Sequence, residues 1–181
     1  MNVSIQKLLF ATGAGLMVAA CAPAPVTVGV PAPAPVARAA DAEVVSVMRT
    51  ANSGEVMTSQ PAVQRASSAA VRQFAQRMIT EHTELNERLS RLPIGPEPSN
   101  VANQLETTAR QTVEVLQQLD GHAFDVTYMD SQIELHEYTL QALDDYLIPS
   151  AADPALRTEL ESARAIIADH LTQARQVRQS L

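Results

Sequence analysis

The 181-residue chain has one cysteine, no tryptophan, three phenylalanines and three tyrosines. A lone thiol excludes any disulfide within the chain. So few aromatics leave little from which to build stacking platforms for bases or sugars. Lys7 is the only lysine, so the chain beyond Cys21 sets 12 arginines against 20 carboxylates, a net of −8. With no basic cluster, that balance argues against nucleic acid and against peripheral binding to anionic lipid. Glycine is almost absent beyond residue 40, where only Gly54, Gly95 and Gly121 occur, and no strand alternation appears there. No paired-carboxylate, Ser-His-Asp or phosphate-loop pattern stands out, so no catalytic residue is assigned and an enzyme is not expected.

What is present begins with an export-type start. Met1–Lys7 carries the amino terminus and one lysine, and Leu8–Ala20 is apolar and small. That apolar run suits a signal segment and falls short of the ~20 residues that span a bilayer. Val18–Ala19–Ala20–Cys21 resembles a bacterial lipobox, whose cysteine is lipidated and becomes the mature N-terminus. Cleavage of an ordinary secretory signal near Ala20 or Ala22 is the alternative. Ala22, rather than Asp, after the cysteine implies sorting to the periplasmic face of the outer membrane. The expected organisation is a signal peptide at 1–20, a Pro/Ala-rich linker at 21–40 and a helical domain at 41–181. Five prolines between Pro23 and Pro35 favour extended polyproline II. At ~3.1 Å per residue the linker can hold a domain up to ~60 Å from a membrane.

Helical stripes fill residues 41–181. They read Val44–Met48–Ala51–Glu55–Thr58–Ala62, then Val71–Phe74–Met78–His82–Leu85–Leu89. Met129–Ile133–His136–Leu140–Leu143–Leu147 and Leu156–Leu160–Ala163–Ile167–His170–Ala174–Val177–Leu181 follow. Alternating steps of three and four mark a face turned to a bundle core. Asp153-Pro154 starts the last helix, Ser99 or Asn100 caps a shorter one to about Leu119, and Pro149 stops the helix before Asp153.

The first turn decides the geometry. A break at Ser59–Pro61 would set Glu55 and His82 ~25 Å apart in height, whereas a turn at Ser67-Ser68 brings their levels within ~5 Å. The second predicts helices over 41–66, 68–91, 100–119, 122–148 and 154–180, with a kink at Pro61. The 100–119 helix is long enough to return the chain along the bundle. The expected fold is therefore all-α, a ferritin-like up-down-down-up four-helix bundle with a helical crossover.

The combination Ala51-Asn52…Glu55-Val56, Phe74-Ala75…Met78…His82…Asn86…Leu89, Gly121…Phe124-Asp125…Tyr128…His136 and Asp169-His170-Leu171 resembles domain-of-unknown-function family 4142. These are exported bacterial ferritin-like proteins. Pro61, and Glu81 in place of Asp, depart from the family pattern. The resemblance implies fold and address, and no activity.

Glu55, His82, His136 and His170 all fall on apolar stripes, where polar groups are costly unless paired, protonated or metal-bound. Two readings follow. In the first, the chain is a non-catalytic envelope lipoprotein with a structural or interaction role; its membrane contact is the lipid on Cys21, and its protein partner is open. The buried polar layer then fixes helix register. In the alternative, Glu55, His82, His136 and His170 bind one transition-metal ion (Zn, Fe, Mn or Cu) for buffering or sensing, with Asn52 and Asn86 as supporting residues. The residues three before the histidines are Ile79, Ile133 and Ile167, so a ferritin-type dinuclear carboxylate centre is excluded. Met48, Met78 and Met129 read as core filler, and His122 as a solvated helix start.

Overall fold

The computed structural model describes residues 41–181, and among them five helices and no strands occur. The expected signal at 1–20, the lipidation site Cys21 and the linker at 21–40 lie outside the described residues. The helices are α1 (Asp41–Arg65), α2 (Ala69–Ser90), α3 (Asn100–Gln117), α4 (Gly121–Ala142) and α5 (Pro154–Gln179). None among these is long and apolar enough to cross a membrane.

The hydrogen bonds at the helix ends define the topology. The stretch after α2 returns to the start of α1, where Glu97 N donates to the Ala42 carbonyl at 3.4 Å and to Ser46 Oγ at 2.8 Å. At the far end, Arg65 reaches the Leu119 carbonyl at 2.8 Å. Helix α3 thus runs parallel to α1 and carries the chain back along it. Asp125, near the start of α4, then meets Ser67 and Ser68, while Asp41 accepts from Ala152 N and Asp153 N beside the start of α5. Hence α1 and α5 point one way and α2 and α4 the other, which is the up-down-down-up bundle with α3 as its crossover.

Local chemistry explains the boundaries. Helix α1 continues through Pro61 to Arg65, and the chain turns at Ser67–Ser68. Pro61 deprives the Met57 carbonyl of its helical donor, but both residues are partly exposed, so water can satisfy it. Ser68 holds the N-cap position of α2 without a side-chain cap bond. The buried Asp125 carboxylate serves instead, accepting from Ser67 N at 2.9 Å, Ser67 Oγ at 2.5 Å and Ser68 N at 2.8 Å. Ser99 caps α3, and Asp153 caps α5 through Ala155 N and Leu156 N. Gly121 opens α4 at φ +59°, a left-handed conformation that costs other residues about 1–2 kcal/mol. Gly54 lets α3 approach α1, because a Cβ there would stand 3.2 Å from Ala109 Cβ.

One expected boundary is corrected. The helix expected over 122–148 stops being α-helical at Ala142, widens into a π turn at Leu143–Leu147, and resumes as Ile148–Ser150. Pro149 has no N–H for the Asp145 carbonyl and its ring would collide with it, so the wider turn relieves both.

The apolar core forms two clusters. One contains Val44, Met48, Leu85, Leu89, Leu143, Leu147, Leu156, Leu160 and Ile167. The other contains Ala62, Val71, Phe74, Met78, Phe124, Tyr128, Met129 and Ala174. On all four long helices the residues between the clusters are buried and polar: Asn52, Glu55 and Thr58, then His82, then Gln132 and His136, then His170.

Asp125→Ala should cost on the order of 2–3 kcal/mol in denaturant unfolding, because it strips charge-assisted caps from the turn into α2. Asp130→Ala, which removes an exposed pair with Arg178, should cost less than ~1 kcal/mol. Equal losses would show that Asp125 does not anchor the turn.

Candidate functional site

The polar layer brings the three expected histidines together. His82, His136 and His170 are at most 2% exposed, and one ring nitrogen of each lies within 4.8 Å of the others. Ring centroids are 5.1 Å apart for His82–His170, 5.4 Å for His136–His170 and 5.8 Å for His82–His136.

Each ring has one nitrogen tied outward, which fixes its tautomer. Asn86 Nδ2 donates to the Arg49 carbonyl, so Asn86 Oδ1 must face Asn52 Nδ2, 3.0 Å away. Asn52 Oδ1 is then left to accept from His82 Nδ1 at 3.0 Å. Asn52 and Asn86 therefore form a relay that begins at a backbone carbonyl and ends at an imidazole. His136 Nδ1 donates to the Gln132 carbonyl at 2.7 Å, and His170 Nε2 to Glu81 Oε2 at 2.7 Å. Glu81 is held in turn by Arg77, which also binds Asp169 at 2.7 Å and Gln173 at 2.6 Å.

The opposite nitrogens are bare. His82 Nε2, His136 Nε2 and His170 Nδ1 are buried and have no hydrogen-bond partner among the described residues. When such a ring is neutral, the nitrogen opposite the tied one presents a lone pair. In their neutral forms the three rings offer three buried acceptors within one layer.

Glu55 does not join that group. Its Oε1 lies 3.4 Å from His136 Nδ1, the nitrogen bound to Gln132, and its Oε2 has no partner among the described residues. The stripe placed Glu55 at the right height, but its carboxylate reaches the outer edge of one ring. Of the two aromatic residues nearest in sequence to His136, Tyr128 is fully buried and bonded to Ser59 Oγ at 2.8 Å, whereas Tyr138 is exposed. His122 is exposed at the start of α4.

Two contributors escaped the sequence reading. Gln132 is one turn before His136 on the same face, a spacing that could have revealed it. Glu81 had no such signal, because it adjoins His82 in sequence and therefore points to a different face, toward α5.

Burial dominates the electrostatics. It drives His82 well below the ordinary histidine value, and repulsion from His136 and His170 adds to the effect. Burial also lowers His170 to about 4, against the opposing pull of Glu81. Glu55 is raised by burial, partly countered by His136 and Gln132. Glu81 ends below its usual value, because hydrogen bonds from Arg77 and His170 outweigh its desolvation.

A histidine whose folded pKa is depressed leaves the unfolded chain holding more protons, so it makes stability fall as pH falls. In chelator, stability should therefore drop between pH 6.5 and about 4, the interval across which His170 stays neutral only when folded. Glu55, raised by burial, acts in the opposite sense above its ordinary value of 4.5. Glu55→Gln should consequently show a steeper loss over the same interval. Urea unfolding at stepped pH measures both, and a slope of the opposite sign in the variant would contradict the assignment.

A family profile matches residues 27–177 of the chain. No curated protein and no solved structure matches it. The match covers the whole histidine layer, its supporting residues and all but the last two residues of α5, so the chain belongs to the family described as domain of unknown function (DUF4142).

Proposed function

We propose that the chain is an envelope lipoprotein whose helical bundle holds one transition-metal ion on His82, His136 and His170. The observation that carries the reading is the set of three buried ring nitrogens, His82 Nε2, His136 Nε2 and His170 Nδ1, without a partner among the described residues and on rings gathered in one layer. Metal-ligating imidazoles characteristically donate their second N–H to a carboxylate, carbonyl or amide oxygen. Here Glu81, the Gln132 carbonyl and Asn52 occupy those three roles.

The donor set narrows the ion. Three imidazoles without a carboxylate in the group suit Zn or Cu better than Mn, which favours oxygen ligands. Three protein ligands would leave a fourth position open. A purely structural layer would explain the outward bonds, but it gives the inward nitrogens nothing to do. Buffering or sensing of metal in the envelope is the role consistent with this donor set. The address rests on the sequence alone, on Val18–Ala19–Ala20–Cys21 and the proline-rich stretch that follows.

Protein purified without an affinity tag should carry close to one equivalent of metal by elemental analysis. His136→Gln should abolish that occupancy while the protein stays folded, and Asn52→Ala should weaken affinity about 10–100-fold. Equal metal content in wild type and His136→Gln would return the layer to a structural role.

The anchor has its own test. Cys21→Ser should abolish lipid labelling and release the protein in soluble form, since an acyl chain contributes ~0.8 kcal/mol per buried methylene. Unchanged membrane retention would remove the lipoprotein assignment.

A further inference from the structure

A ligand layer this deeply buried needs a way in. The walls of the bundle differ in what they offer a cation. Along one flank of α4 and the π turn that follows it, Asp130, Glu137 and Asp144 recur every seven residues and are paired with Arg178, Arg175 and Arg164 of α5. The other flank faces a cavity of about 330 Å³ between α1, α3 and α4. Glu134 lies on its wall, and a second cavity of about 340 Å³, sharing Val101, Leu105 and Tyr138 with the first, adds Glu43 and Asp145. None of these three carboxylates forms an ion pair among the described residues, and no arginine lines either cavity.

The inner wall of the first cavity is the outer wall of the histidine layer. Thr58 and Gln132 line the cavity, and both are buried. Among the described residues Gln132 Oε1 has no partner, and its amide faces Glu55, whose Oε2 also has none. Glu55 in turn lies against His136. A chain of contacts therefore runs from cavity to Gln132, to Glu55, to His136, with an unused oxygen at each of the first two residues. Gln132 Nε2 reaches Thr58 Oγ1 at 3.5 Å, the limit of a hydrogen bond, so that contact holds the side chain only weakly.

Resting on the metal reading above, we infer that the acidic groove between α3 and α4 is the loading route for the ion, and that Gln132 and Glu55 are its relay oxygens. Carboxylates along a low-dielectric groove concentrate cations at its mouth. A dehydrating cation needs replacement oxygens on the way to nitrogen ligands, and these two residues supply them. Rotation of the Gln132 side chain opens the last barrier. Its backbone carbonyl stays with His136 throughout.

The test separates rate from affinity. Co(II), a spectroscopic stand-in for Zn(II), is mixed with metal-free protein in stopped flow, and release is followed with excess chelator. Thr108→Trp fills the mouth from an exposed position on α3, and Gln132→Leu removes the relay oxygen while keeping the carbonyl. Each should slow uptake and release by about tenfold, and Thr108→Trp should leave the end-point unchanged. Thr172→Trp, exposed on α5 away from the groove, should load at the wild-type rate, and far-UV helicity checks that every variant is folded. Wild-type rates in both groove variants would remove the route and leave the site. Failure of the wild type to take up Co(II) would remove both.

Discussion

The bundle is arranged around three imidazoles that share one buried layer. Each can be neutral there only if one nitrogen finds an acceptor, and the acceptors come from different places. His82 is tied to α1 through Asn52, His170 to α2 through Glu81, and His136 to its own helix through the Gln132 carbonyl. The first two bonds cross between helices, so they also fix how α1, α2 and α5 slide past one another. Apolar stripes of valine, leucine and methionine are tolerant of such slippage. A polar layer is not, because one turn of displacement would part His82 from Asn52 and His170 from Glu81.

Delivering four helices to that layer at one height places demands on the turns. Helix α1 must run past Pro61 to Arg65 for Asn52 to reach His82, and Asp125 then holds the reversal at Ser67–Ser68. The crossover α3 buries only Ala102, Ala109 and Leu116, small or widely spaced contacts that let it lie on α1 without filling the space beside α4. The open groove follows directly from that economy. The π turn at Leu143–Leu147 closes the other end, absorbing Pro149 while keeping Leu143 and Leu147 in the core.

Much of this was legible in the sequence, and the reason is periodicity. Stripes with steps of three and four placed all four helices and put His82, His136 and His170 on inward faces. Level counting then chose Ser67–Ser68 over Pro61, because helical rise converts residue number into height. Height, however, is one coordinate of three. Counting put Glu55 at the right level, but it could not tell whether the carboxylate would face the bare nitrogens or the outer edge of His136. Glu81 was invisible to periodicity, since a residue beside a core position points elsewhere and gains its meaning only from a helix nearly 90 residues away. The π turn was missed because Pro149 was read as a terminator, whereas a widened turn accommodates a proline with the helix largely intact.

On the proposed reading, the energetics of the layer favour an occupant. A buried acceptor without a donor costs about 1–3 kcal/mol, and three of them consume a substantial part of the 5–15 kcal/mol by which a domain is stable. Protonation offers little relief, because burial and mutual repulsion keep His82 and His170 neutral. Replacing the histidines with leucine would remove the cost outright, and the flanking clusters show that this chain packs apolar layers readily. A metal ion changes the balance, since structural zinc sites contribute about 10–16 kcal/mol in small peptides, well above the cost of the bare lone pairs. On the proposed reading, the layer is a liability when empty and the largest single stabilising contribution when filled. Loading and stability are then one equilibrium, and a protein so built reports its metal supply through how well it stays folded.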